Sequence, residues 1–291
     1  MAKGNLLLGT AGNSVGDVVM YRREGAQVSR VRVRKIKNPK TDAQSLQRAA
    51  FSPVAKFYSP LAVVLERSFE GLSKMKSYNK FLKTNIDLAR ANDWLLPKGT
   101  GFFPLPYKLS QGTIKTIDAR YNPGDDGGFY IGGLTYETAP TNIGNLSKMF
   151  LNAGYQPGDV VTLIAVGHSD TEQGGQYDKY AYYPISIQFA LDDKDVKEIA
   201  DVFGTNVTLN FSQKTVWVSG AEGFEMMAFS VIISRFENEK WRRSTQTLVV
   251  LPAIMTYIAS ANFHASAVAS YGPNAGDPNP LVYLDGDTLV G

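Results

Sequence analysis

Residues 28–47 read Val28-Ser29-Arg30-Val31-Arg32-Val33-Arg34-Lys35-Ile36-Lys37-Asn38-Pro39-Lys40-Thr41-Asp42-Ala43-Gln44-Ser45-Leu46-Gln47. From 28 to 34 valine alternates with polar residues, the period-two pattern of a half-buried strand. Its polar side would carry Arg30, Arg32 and Arg34 in a row, running on into Lys35, Lys37 and Lys40. Asn38-Pro39 breaks the strand. Thr41-Asp42-Ala43-Gln44 then has the spacing of a capping box, in which Thr41 and Gln44 satisfy free backbone donors reciprocally. One short stretch thus turns the chain from strand to helix, and an α+β fold is read outward from it.

Upstream, Val18-Val19-Met20-Tyr21 and the Glu24-Gly25 turn signal complete a β-hairpin. The opening is punctuated by Gly4, Gly9, Gly12 and Gly16, and Gly9–Gly16 reads as a flexible arm or tight turn. Downstream, Leu46, Ala50, Val54, Phe57, Leu61, Leu65 and Phe69 form a helical stripe that Ser52-Pro53 and Ser59-Pro60 should interrupt. A second helix fits Ser77 to Asn92. Hairpin and helices make a basic module over residues 1–96, with Pro97–Gly101 as a junction.

Residues 102–291 change character, to short β-rich runs separated by Gly, Asn, Asp and Pro. Strands are expected over 113–120, 129–137, 159–166, 180–191, 206–211, 215–219, 225–236, 240–251 and 281–284. Hairpins are expected around Asn210–Lys214 and Glu237–Glu239, and a short helix over Asp192–Val202, its early aspartates suiting the helix dipole. This pattern predicts a mainly antiparallel β-sandwich or jelly-roll-like body.

The 291 residues are 44% hydrophobic and 20% charged, ordinary for a folded chain that buries roughly three-quarters of its unfolded surface. No Cys and two His exclude disulfide scaffolds, thiolate zinc sites and cysteine nucleophiles. The formal charge of +3 hides an asymmetry: residues 1–100 hold 18 Lys and Arg against 7 Asp and Glu, and residues 101–291 hold 12 against 20. Such a split points to an anionic partner, or to an acidic surface on a second copy. Residues 1–14 have only a three-leucine run, Leu6–Leu8, too short for a secretory signal. Residues 244–276 carry no formal charge, but their polar residues and Pro252 argue against a membrane span. A strand running into a buried or subunit-facing segment is expected there.

The chemistry-bearing motifs are few. Neither phosphate-loop fingerprint is present. Gly167-His168-Ser169-Asp170 offers triad residue types, but without a nucleophile elbow it reads as a loop between strands. His264, with no carboxylate near it in sequence, reads as a buried or interface histidine. Asp125-Asp126, Asp192-Asp193-Asp195 and Asp285-Gly286-Asp287 fall where turns and caps use Asp for backbone reasons. Tyr177, Tyr180, Tyr182 and Tyr183 could stack a sugar, yet aromatic enrichment in a strand is the commoner cause. No catalytic residue, cofactor or metal ligand is therefore expected.

One constellation carries a mechanism. Arg22, Arg23, Arg30, Arg32, Arg34, Lys35, Lys37, Lys40 and Arg48 are nine basic residues facing only Glu24 and Asp42 over residues 22–48. Such a cluster binds phosphates by counterion release, without reading sequence. It equally fits an acidic protein surface, or an exposed strand guarded against edge pairing.

The run Gly12–Arg22, then Val28-Ser29-Arg30 and Asn38-Pro39-Lys40-Thr41-x-x-Gln44-x-x-Gln47-Arg48-x-x-Phe51, resembles a family of uncharacterised proteins of Bacteroidota and their phages and mobile elements. Tyr155–Asp159 and Trp241–Ser244 are similar to that family's β-rich half. The resemblance transfers no catalytic residue and implies a bacterial or phage setting. Together these features lead to an expected non-enzymatic, self-assembling capsid- or virion-type subunit, a homo-oligomer without a membrane span, in the virion or host cytoplasm. Its basic region would meet nucleic acid or neighbouring subunits. The alternatives are a non-assembling nucleic-acid-binding accessory protein and a surface glycan-binding or adhesin module.

Overall fold

The computed structural model describes residues 3–5, 10–15, 17–23, 26–32, 41–98, 101–123, 128–169, 182–204, 206–221, 223–261, 264–272, 284–285 and 288–289. The chain divides into two compact units, Met1–Lys40 and Thr41–Gly291.

The first unit is a four-stranded antiparallel sheet in chain order: β1 (Lys3–Asn5), β2 (Thr10–Val15), β3 (Val18–Arg23) and β4 (Ala26–Val31). The expected hairpin is β3–β4, pairing Val18 with Val31 and Arg23 with Ala26 at its two ends. The glycine-rich opening is not merely an arm, because Thr10–Val15 is a strand that pairs with both β1 and β3. From Asp17 to Arg22 and from Ala26 to Arg32 every residue is exposed or half-buried. None of these β3 and β4 residues is buried.

The second unit begins with α1 (Asp42–Tyr58), where Thr41 Oγ1 accepts from the Gln44 amide at 3.4 Å, one arm of the predicted cap. α1 runs unbroken through Pro53, contrary to the expected interruption, while Ser59-Pro60 does end it in a 3-10 turn. α2 (Lys74–Ala91) follows. The β elements are β5 (Lys108–Ser110), β6 (Asp118–Asn122), β7 (Gly128–Gly132), β8 (Val160–Ser169), β9 (Tyr182–Ala190), β10 (Val207–Ser212), β11 (Thr215–Gly220), β12 (Phe224–Glu237), β13 (Lys240–Arg243), β14 (Gln246–Thr247) and β15 (Val249–Val250). α3 (Ile143–Asn152) and α4 (Ile199–Phe203) sit between strands, and α5 (Pro252–Ala261), α6 (His264–Ser270), β16 (Leu284–Asp285) and β17 (Thr288–Leu289) complete the order.

A central antiparallel sheet, β13-β12-β8-β9 with β15 also on β12, is covered on both faces. Strand alternation sorts its side chains. Ile164, Val166, Ala228 and Ile232 join a core with Phe57, Phe81, Leu109 and other residues of the helical layer. Val161, Leu163, Phe229, Val231 and Ile233 face the opposite way, into a core shared with the β10-β11-β7-β6 sheet and α3. Phe129 of β7 meets Phe229 of β12 at 6.3 Å between ring centres. The two sheets thus pack face to face as in a β-sandwich, with helices on the far side of one.

The compact units divide at Lys40/Thr41, and within the second the helices share their apolar face with the central sheet. The buried Asn85 fastens α2 to β5, accepting from the Lys108 amide at 2.8 Å and donating to the Lys108 carbonyl at 3.1 Å.

Other differences have local causes. The expected 192–202 helix shrinks to α4, since Asp192 and Asp195 accept from the Lys194 and Lys197 amides, each at 3.0 Å, and form turns instead. The expected 240–251 strand splits into three short strands. The uncharged segment owes its composition to packing. Ser244, Gln246, Leu248, Ile254 and Ala267 are buried, and Gln246 Nε2 donates to the Ile117 carbonyl at 2.9 Å. Among the described residues no helix is long and apolar enough to cross a membrane.

Candidate nucleic-acid or acidic-partner interface

The basic constellation lies mainly in the first unit. Residues 1–40 hold nine Lys and Arg against two Asp and Glu, a net of +7, whereas residues 41–291 hold 21 against 25, a net of −4. The first unit is thus more densely basic than residues 1–100 as a whole, and the second unit less acidic than residues 101–291.

Arg22, Arg30 and Arg32 are exposed. Arg30 and Arg32 share a face of β4 and its extension, as the alternation predicted. Arg22 pairs with Gln27, while Arg30 pairs with Val19, one step out of phase along β3, so Arg22 belongs to the opposite face. The Arg30 guanidinium sits 5.7 Å from the centre of the Tyr21 ring, a cation–π contact that holds the charge outward without neutralising it. No carboxylate pairs with Arg22, Arg30 or Arg32 among the described residues. Arg23 closes β3. Arg34, Lys35, Lys37 and Lys40 lie outside the described residues. Arg48 is not part of this sheet; it is a half-buried residue of α1 in the second unit.

The remaining candidates are brought into no reactive constellation. Gly167-His168 belongs to β8 rather than to a loop, and Asp170 lies outside the described residues. Tyr182 packs on Phe103 at 5.6 Å and Tyr183 on Phe224 at 5.4 Å, from opposite sides of β9. Tyr177, Tyr180, Asp125 and Asp126 are outside the described residues. His264 is not buried: at the start of α6 it is about half exposed and contacts the Asp93 carboxylate, a partner 171 positions away that sequence proximity could not supply. Among the described residues no group of three or more His, Cys, Asp or Glu could hold a metal.

The best-built polar cluster was not among the sequence candidates. Arg243 is 7% exposed; it donates to Ser234 Oγ and to the Glu66 carbonyl, the latter at 3.0 Å, and stacks on Trp241 at 5.0 Å. Burial pushes its guanidinium down to about 10. Beside it, Glu70 receives Arg242 Nη1 at 2.7 Å and the Thr113 amide at 2.8 Å. Burial opposes ionisation, yet these donors hold the Glu70 carboxyl below its usual range. Asp159, 1% exposed, takes a two-pronged contact from Arg235 at 2.6 and 2.8 Å. Glu70 and Asp159 are each paired with an arginine. Arg243 is held by Ser234 Oγ and the Glu66 carbonyl, with its Nε buried and unpaired. The Glu66–Glu70 stretch between α1 and α2 is thus fastened to the strands.

Residues 9–94 match the model of a family of unknown function, DUF6266. The matched stretch runs from β2 through α2, crossing the boundary between the two units. No curated protein and no solved structure matches the chain.

Proposed function

We propose that this chain is a non-enzymatic structural protein of a Bacteroidota phage or related mobile element, a self-assembling virion-type subunit whose first unit contacts nucleic-acid phosphates. One observation carries the reading. A 40-residue unit of net +7 presents Arg22, Arg30 and Arg32 as exposed residues of β3, β4 and the residue after it, while the body beside it in sequence is net −4. Cations held outward on a sheet suit a polyanion, whose binding gains from counterion release. They contact backbone and not base edges, so binding should be independent of sequence. The same outward arginines could meet the acidic body of a neighbouring copy, which would also serve assembly. The phage setting rests on the sequence resemblance alone.

The test is light scattering coupled to size exclusion, with negative-stain microscopy and absorbance at 260 and 280 nm. Regular assemblies carrying nucleic acid that 1 M salt strips off would support the proposal. A monomer at high concentration with a protein-only spectrum would overturn it and send the search to glycan ligands. A monomer that still binds nucleic acid would leave the accessory-protein reading in its place.

A further inference from the structure

The outer face of α1 carries an apolar surface with charges of one sign. Arg48, Phe51, Ser52, Ala55 and Ser59 follow one another at helical spacing, and two open grooves flank them. The first, about 420 Å³, is bounded by Tyr271 just beyond α6. The second, about 640 Å³, is bounded by Val63, Met75 and Tyr78. Ala55 and Ser59 line both, which makes the surface continuous. Phe51, Val63 and Met75 are 41%, 84% and 66% exposed, an apolar grouping of the kind that marks a contact site. Arg48 and the exposed Lys56 line the first groove, and Lys74 on the second is bridged to Glu66 at 2.9 Å.

The chain itself supplies a matching segment. It passes the first groove at Tyr271, and residues 273–280 are Pro-Asn-Ala-Gly-Asp-Pro-Asn-Pro, the composition of a linker. Residues 281–291 then read Leu-Val-Tyr-Leu-Asp-Gly-Asp-Thr-Leu-Val-Gly, and residues 273–291 hold three Asp without a single Lys or Arg. Within it β16 and β17 pair Leu284 with Leu289 and Asp285 with Thr288. Apolar residues interspersed with aspartates complement an apolar floor edged by Lys56. Eight linker residues reach at most about 28 Å, and so short a tether keeps its load at an effective concentration on the order of millimolar.

We propose that residues 281–291 dock in cis onto the α1 surface of their own chain, their acidic composition matched to Lys56. This inference stands apart from assembly and nucleic-acid binding. The absence of cysteine makes a disulfide test clean in the full-length chain. A Val63→Cys/Leu284→Cys chain should close an intramolecular disulfide under mild oxidation at least tenfold faster than a Val196→Cys/Leu284→Cys control. Val196 is as exposed as Val63, at 83%, but follows Asp193 and Asp195 in sequence. Adding Lys56→Glu should slow closure several-fold at low salt. Closure no faster than the control would overturn docking. A disulfide formed only between chains would overturn the cis arrangement and assign the surface to a neighbouring copy.

Discussion

The central sheet of the second unit is covered twice, by helices on one face and by a second sheet on the other, and β8 and β12 are apolar on both sides. The four-stranded sheet of the first unit keeps Val31 at 73% and Tyr21 at 38% exposure, with no residue buried from Asp17 to Arg22 or from Ala26 to Arg32. Both are antiparallel and rich in valine, so strand propensity does not separate them. What differs is the charge spaced between the apolar residues. In β12 the run Ala228–Ile233 has no charge, whereas Arg30 and Arg32 bracket Val31 in and just beyond β4. Strands that keep their arginines outward bury little apolar surface, and a hairpin such as β3–β4 depends on its neighbours for stability.

Core truncation gives the largest contrast. Phe229 is fully buried, and Phe229→Ala should cost about 3–5 kcal/mol through lost transfer energy and an unfilled cavity. Tyr21→Ala in the first unit should cost about 0.5 kcal/mol or less. Urea unfolding of both variants checks this. A loss at Tyr21 as large as that at Phe229 would mean the first sheet is packed after all, and the contrast would fail.

The second comparison is between ion pairs. Asp159→Ala should cost about 3 kcal/mol, because Arg235 and the Gln156 amide lose a buried acceptor. Asp118→Ala, which removes an exposed partner of Arg120, should cost well under about 1 kcal/mol. Equal costs would show that burial does not set the worth of these pairs.

Alkaline pH should act on the second unit through its tyrosines. Burial raises the Tyr58, Tyr107 and Tyr155 phenols, Tyr155 to about 12 with help from the Asp159 charge. Below pH 10 folded and unfolded chains both hold these protons, and stability is unaffected. Above about 10 the unfolded chain releases them first, so stability falls as pH rises. Arg243, pushed down to about 10, works in the other direction over the same interval and offsets part of the fall. Tyr155→Phe should make the decline between pH 10 and 12 shallower by about one proton, read from urea midpoints at half-unit steps. An unchanged slope would place Tyr155 in water.

The legible parts of this fold are those encoded by neighbours in sequence. Thr41 and Gln44 announced α1, the Val28–Arg34 alternation announced β4, and turns at Gln213-Lys214 and Asn238-Glu239 formed where expected, each with two residues at positive φ. The illegible parts depend on distant partners. Nothing near Pro53 says that α1 continues through it, since its burial is supplied by tertiary packing. Ile164 and Ile232 look alike from either side of a sheet, and only the folded register shows that their face receives the helices. Asp93 and His264, or Glu66 and Arg243, meet across more than 170 positions. The basic constellation was readable as composition, but its division between two faces of the sheet required the β3–β4 register.

The smallest effect on stability should come from the residues with the largest proposed role. Arg22→Gln, Arg30→Gln and Arg32→Gln together remove three exposed charges that pair with no carboxylate among the described residues. Unfolding should shift by no more than about 0.5 kcal/mol, with the Arg30 contact on Tyr21 the main loss. Binding to duplex DNA of random sequence should respond differently. If Arg30 and Arg32, which share a face, each meet one phosphate, the slope of log affinity against log salt should lessen by about 1.8, at roughly 0.9 per contact on B-form DNA. Since Arg22 lies on the opposite face from Arg30, a flat duplex cannot engage all three from one side. A loss near about 1.8 that Arg30→Gln and Arg32→Gln reproduce without Arg22→Gln would assign binding to their face, and a loss near about 0.9 that Arg22→Gln alone reproduces would assign it to the other. An unchanged slope would remove the first sheet from nucleic-acid contact, leaving its arginines to meet the acidic body of another copy.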